Sequence, residues 1–142
     1  MARVRFPVEP GHVMAFARAV GAQDLAEAPP EPGTPVPATF AAVDVQFDPL
    51  HMRNMRPSGP LAAAEGVAGS VLHAEQHFEY LRPVRVGDVL TVGQAEGRTW
   101  EKPRRQGGRL RFREFIKEYR DSRDRLVVRS RMVLVETERA QR

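Results

Sequence analysis

Residues 72–90 read Leu72-His73-Ala74-Glu75-Gln76-His77-Phe78-Glu79-Tyr80-Leu81-Arg82-Pro83-Val84-Arg85-Val86-Gly87-Asp88-Val89-Leu90. The run joins an alternating strand to a Pro-bounded turn and the start of a second strand. Leu72, Ala74, Phe78 and Tyr80 fall on one side of the first strand and His73, Glu75, His77 and Glu79 on the other, the period of two that a pleated strand imposes. The first side is expected to pack and the second to be polar or interfacial. Gly87 supplies the positive φ of a turn, where Asp88 bonds its own backbone. Downstream, residues 89–99 predict a second strand, Gly107-Gly108 a turn, residues 109–119 a third strand, residues 121–124 another turn and residues 125–138 a fourth strand. Strands of about ten residues suit a curved antiparallel sheet wrapped around a helix better than a flat sandwich.

Working upstream, Val13, Phe16, Ala17 and Val20 fall at i, i+3, i+4 and i+7, one apolar helical stripe, and Gly21 stands where a left-handed cap would stop it. Before that helix, Arg3-Val4-Arg5-Phe6 reads as a short edge strand ended by Pro7 and Pro10. Residues 22–37 hold Pro29, Pro30, Pro32, Pro35 and Pro37, so they predict a stiff surface loop within one domain. Phe40, Val43 and Phe47 outline a buried central helix with Thr39 as its N-cap. Asp48-Pro49 interrupts it and opens a second short helix over residues 49–55. Residues 61–69 are small and Ala-rich, without periodicity.

Composition bounds the function. The chain has 142 residues, and residues 1–142 are expected to form a single domain around one core. No apolar run reaches bilayer-spanning length and the N-terminus lacks a secretory stretch, so a cytoplasmic location and no membrane partner are expected. The absence of cysteine removes disulfides, thiolate metal sites and cysteine nucleophiles. The formal charge is +4, carried almost wholly by Arg, the only lysines being Lys102 and Lys117. Aromatic interleaving, zinc-finger spacing and a helix-turn-helix pattern are all missing, so nucleic acid is not the expected partner.

The phrase around residues 72–90 resembles the MaoC-like dehydratase family, in particular its N-terminal, fatty-acid-synthase-like dehydratase domain. There a line close to LHGEQ-x-F-x-Y-x-RP-x-x-x-GD recurs. Val8-Glu9-Pro10-Gly11-His12-Val13-Met14-Ala15-Phe16-Ala17-Arg18-Ala19-Val20-Gly21 is similar to the family's opening helix, and Val36-Pro37-Ala38-Thr39-Phe40 resembles its entry to the central helix. The resemblance spans about Val4 to Thr137. It implies an α+β hot-dog fold and a hot-dog dimer with ligand held between protomers. It further implies an acyl thioester of coenzyme A or acyl carrier protein as substrate, whose phosphates Arg forks would suit.

Catalytic members of the family place Gly-Asp-x-Asn-Pro-x-His directly after the first helix. The Asp and His share one water and add it across a double bond conjugated to a thioester. Here the line is Gly21-Ala22-Gln23-Asp24-Leu25-Ala26-Glu27: Ala22 stands where the Asp would be, no His follows, and the Pro is absent. The expectation is therefore a subunit of an enoyl-thioester hydratase or 3-hydroxyacyl-thioester dehydratase that shapes the acyl pocket beside a catalytic MaoC-like partner in a heterodimer. The alternatives are a self-sufficient homodimeric hydratase, a hot-dog acyl-thioesterase using a carboxylate such as Asp44 or Glu65, or a binding protein without turnover.

No residue stands out as a certain catalyst. Candidates are His73, whose imidazole could hold water or a thioester carbonyl, Glu75 on the same predicted face to orient it, and Asp24 as a displaced acid. The competing account makes His73, Glu75, His77 and Glu79 a polar strand ladder and Asp24 a turn residue. Phe40 and Phe47 are the candidate substrate-binding residues. His12 and His51 read as surface residues. Trp100 with Glu101-Lys102-Pro103 and Arg104-Arg105 reads as an exposed hairpin end rather than a ligand mouth. No His/Glu set has metal-ligand spacing, and no cofactor is called for.

Overall fold

The computed structural model describes residues 3–49 and 69–138. These form a five-stranded antiparallel sheet in the order β1-β3-β4-β5-β2, from β1 (Val4–Pro7), β2 (Gly69–Tyr80), β3 (Val89–Pro103), β4 (Arg109–Arg120) and β5 (Leu126–Glu138). β1 and β2 are the two edges. The sheet curves around a helical layer, the hot-dog arrangement. β1 holds 4 residues and β2 to β5 hold 12 to 15, longer than their alternation suggested, in part because the β3–β4 hairpin stays paired out to Pro103 and Arg109.

The first helix, α1, spans Pro10–Val20 and ends on Gly21 at φ 76°, the left-handed cap its sequence announces. Val13 and Ala17 are buried and Phe16 packs beside them. Val20 departs from the expected stripe: it is 53% exposed in the helix's last turn. His12 is also not a surface residue. It is half-buried, its ring 5.2 Å from that of Phe40 and 5.7 Å from that of Phe47. After a short 3₁₀ turn, Gln23–Leu25, the Pro-rich stretch runs as loop. Arg18 ties it to the helix by donating to the Ala26 carbonyl (2.7 Å), and the Val36 N–H donates to the Val84 carbonyl.

The helix inside the sheet's curve, Phe40–Phe47, is 3₁₀ rather than α-helical. Its backbone bonds run i to i+3, as in Phe40 N–H to Pro37 O and Ala42 N–H to Thr39 O. Thr39 precedes it but makes no side-chain cap bond. Across the core, Tyr119 donates its hydroxyl to the Ala41 carbonyl at 3.1 Å and so ties this helix to β4. The expected second helix over residues 49–55, the Ala-rich stretch, His51 and Glu65 fall outside the described residues.

Phe6, Phe40 and Tyr119 fill the centre, with Phe6 5.7 Å from Phe40 and 6.4 Å from Tyr119 between ring centroids. Val8, Val13, Leu90, Val92, Val127 and Val128 close around them. This cluster holds α1 and the 3₁₀ helix to one face of the sheet.

Two irregularities re-aim the strands. In β3, a register shift between Glu96 and Thr99 brings Gly97 against the Glu114 carboxylate, where a Cβ would collide with it. In β2, a register shift lies between His73 and Glu75. A bulge of this kind reverses the facing of everything beyond it. The β3–β4 hairpin end is exposed over residues 101–109, and next to it, within the strands, the half-buried Trp100 stacks on Phe112 with centroids 5.2 Å apart and planes at 3°.

Candidate functional site

A cavity of about 820 Å³ lies between the 3₁₀ helix and the concave face of the sheet. Among the described residues its wall is built in cross-strand rows. Gln94 pairs with Lys117, Lys117 with Ser130 and Ser130 with Phe78, so one row crosses β3, β4, β5 and β2. On one side lies Val92 with Tyr119, and on the other Phe115, Met132 and Gln76. Ala42, Asp44, Val45 and Phe47 come from the helix, and Arg3 and Arg5 from the N-terminal edge.

The buried chemistry gathers at one place. Lys117 Nζ donates to both oxygens of Asp44, at 3.0 and 2.8 Å, and the Tyr119 hydroxyl sits 3.0 Å from Asp44 Oδ1. Asp44 is 4% exposed. Burial pushes its carboxyl above the ordinary carboxylate value, against the opposing pull of Lys117 and Tyr119. Burial first, and then the Asp44 charge, raises the Tyr119 phenol far out of its ordinary range, so it is a neutral donor. Nearby, Gln76 donates to Ser130 Oγ at 2.7 Å.

The sequence-predicted residues are not assembled together. His73 lines the cavity, its Nε2 3.1 Å from the backbone oxygen of Glu75. The Glu75 side chain is on the other face of the strand, bonded to Arg131 at 2.9 Å and to His77 at 3.1 Å. The expectation that His73 and Glu75 share a face is thereby corrected, because the bulge breaks the period of two. Asp24 is exposed on its 3₁₀ turn and is not among the cavity residues. Phe40 is fully buried in the core rather than at the cavity wall, whereas Phe47 does line it.

Sequence reading named Asp44 only as a possible thioesterase carboxylate and missed Lys117 and Tyr119. A signal was present. Lys117 is one of two lysines in an Arg-rich chain, and its parity on β4 matches Phe115 and Tyr119. A charge on the packed side of a strand needs a buried partner.

The arginines proposed for phosphate are largely engaged on the sheet's surface. Arg131 meets Glu75 and Glu114, Arg129 meets Glu79 and Glu118, Arg113 meets Glu96 and Glu136, and Arg109 and Arg111 meet Glu101. Among the described residues no group of three or more His, Cys, Asp and Glu side chains forms a metal site. No described helix is long and apolar enough to cross a membrane.

The family model for the FAS1-like dehydratase domain region matches residues 1–130. The chain belongs to this family. Solved structures of MaoC-like dehydratases share its hot-dog fold. HtdX from Mycobacterium tuberculosis is 18% identical with a TM-score of 0.64, covering 99% of this chain, and the chain spans only 50% of HtdX. The ChsH1–ChsH2 complex from the same organism gives 18% identity and a TM-score of 0.65, over 99% of this chain and 84% of that one. The HadBC complex of M. tuberculosis, a 3R-hydroxyacyl-ACP dehydratase, gives 19% identity and a TM-score of 0.57, over 94% of each chain. No curated protein matches the sequence.

Proposed function

We propose that this dehydratase-region chain is the pocket-forming subunit of an enoyl-thioester hydratase, or of the reverse dehydration of a 3-hydroxyacyl thioester. It works in the cytoplasm, without a cofactor, beside a MaoC-like partner that carries the Asp and His. One observation carries the reading: the cavity is formed, yet the loop after α1 has Ala22 at the acid position and its Asp24 is exposed outside the cavity. A partner would seat along the β2 edge, where Leu72 is 55% exposed and Tyr80 and Leu81 are also exposed. Two of the similar structures, ChsH1–ChsH2 and HadBC, are complexes, which supports a heterodimer over a self-sufficient homodimer. The acyl chain would enter the cavity, and its coenzyme A or carrier-protein thioester would reach the partner's dyad across the seam.

The test is hydration of crotonyl-CoA, followed by loss of the conjugated chromophore. The chain alone is expected to be silent, and turnover is expected on adding a small MaoC-like protein with an intact Asp and His. Turnover by the chain alone, abolished in His73→Ala, would overturn the subunit reading in favour of a self-sufficient enzyme.

A second reading has a specific observation behind it. Asp44 is a buried carboxylate on the cavity wall, the placement a thioesterase needs to activate water. Release of free thiol from an acyl-CoA, with the double bond untouched and the activity lost in Asp44→Asn, would favour it. The engagement of both Asp44 oxygens by Lys117 argues for a structural or binding role instead, since a general base needs a lone pair facing the water.

A further inference from the structure

The cavity is not uniformly greasy. Its central row, Gln94–Lys117–Ser130, is polar, and it runs between apolar neighbours that include Val92, Phe115 and Met132. Adjacent strands put consecutive members of such a row about 5 Å apart, so three hydrogen-bonding side chains lie abreast on one wall.

Their bonding leaves capacity. An ammonium has three donors, and Lys117 directs bonds to the two Asp44 oxygens. Ser130 accepts from Gln76, which leaves its own hydroxyl proton to give. Gln94 contributes an amide. The Asp44–Lys117 pair brings opposite charges together, so the stripe has no net charge to attract a free carboxylate or phosphate. Ser130 is buried, Lys117 is half-buried and Gln94 stands at the exposed end of the row; donors in a charge-balanced strip of this kind, flanked by apolar rows, match a neutral oxygen on an otherwise hydrophobic body. A plain alkyl chain lying there would strip water from these groups and give nothing back.

We propose that the Gln94–Lys117–Ser130 row is a binding site for a ketone or hydroxyl oxygen on the acyl part of the substrate, and that this subunit selects oxygenated acyl thioesters over unsubstituted ones. The inference rests on the proposed pocket function and adds the class of acyl group. Asp44 and Tyr119 act as positioning residues: Asp44 holds the Lys117 ammonium, and Tyr119 holds Asp44 and the Ala41 carbonyl.

Calorimetric titration of the full chain tests this without any turnover. The probes are decanoyl-CoA and oxodecanoyl-CoA isomers with the ketone at mid-chain or near the tail. At least one keto isomer is expected to bind about tenfold tighter than decanoyl-CoA, the usual scale when a built hydrogen-bonding site meets or lacks its partner. In Gln94→Leu/Ser130→Ala the preference is expected to fall to about one. Ser130→Ala alone, which removes one oxygen, is the gentler companion should the double variant fail to fold, and it should lower the ratio part of the way. Equal binding of decanoyl-CoA and every keto isomer would overturn the oxygen site while leaving an acyl pocket standing. Failure of all the thioesters to bind would overturn the pocket reading and this inference with it.

Discussion

Two carboxylates, each clasped by a cation, respond to their surroundings in opposite directions. Asp44 lies between the 3₁₀ helix and the sheet, and burial there raises its pKa despite Lys117 and Tyr119. Asp121 sits in the β4–β5 turn. Its Oδ2 accepts from the Arg125 guanidinium at 2.9 Å and its Oδ1 accepts from the backbone N–H groups of Arg123 and Arg125, both at 3.0 Å. The Arg125 side-chain bond, followed by those backbone bonds, outweighs burial and holds the carboxyl down to about 2. The turn shields its carboxylate with donors, whereas the core shields its carboxylate with hydrocarbon. An ion pair of the second kind is a poor source of stability but a costly thing to break.

The contrast can be broken most sharply at Lys117. Lys117→Met would strand Asp44 without its cation, and chemical denaturation is expected to show a loss of about 3–5 kcal/mol. Pairing it with Asp44→Asn should restore most of that loss, because no uncompensated charge remains. Tyr119→Phe removes one hydroxyl from Asp44 and from the Ala41 carbonyl and should cost about 1–3 kcal/mol by the same measurement.

Asp121→Asn sharpens the other half of the comparison. The folded pKa of Asp121 lies below its ordinary value of 3.8, so its contribution is complete above that value and fades as the pH falls toward about 2. Thermal melts of the parent and variant should therefore differ at neutral pH and converge at the acid end. Asp44 runs the other way: the folded carboxyl holds its proton more tightly than the unfolded one, so its contribution is greatest below 3.8 and declines as the pH rises through its raised value. The smallest effect is expected at the exposed sheet surface. Glu79→Gln, which loses only the 3.4 Å contact with Arg129, should change stability by under about 1 kcal/mol. A larger change would show that the surface Arg–Glu pairs act as a network.

Much of the frame was legible because it is written locally. The i, i+3, i+4 spacing of Val13, Phe16 and Ala17, the Gly21 stop, and the turns at Gly87-Asp88, Gly107-Gly108 and residues 121–124 all depend on neighbours in sequence. The positive φ of Gly87, Gly107, Gly108 and Asp124 and the bond from Arg85 N–H to Asp88 Oδ2 at 2.9 Å are the physical form of those signals. The hidden parts come from distant residues. The bulge after His73 depends on how β2 meets β5, and no residue type in Leu72-His73-Ala74-Glu75 announces it. The tie that holds residues 40–47 to the sheet comes from a tyrosine far along the chain. The site itself joins Asp44 to Lys117 and Tyr119 across more than seventy positions, and strand parity hints at an inward lysine without naming its mate.

The stacked pair at the β3–β4 hairpin end has a practical consequence. Trp100 is the only tryptophan, it lies against Phe112 and near the Arg98 guanidinium, and neither Trp100 nor Phe112 belongs to the cavity wall. Its ultraviolet emission is thus a native gauge of one remote corner. A shift in colour or brightness would announce that the hairpin tip had come apart or been covered, while filling of the distant chamber would pass unseen by this dye.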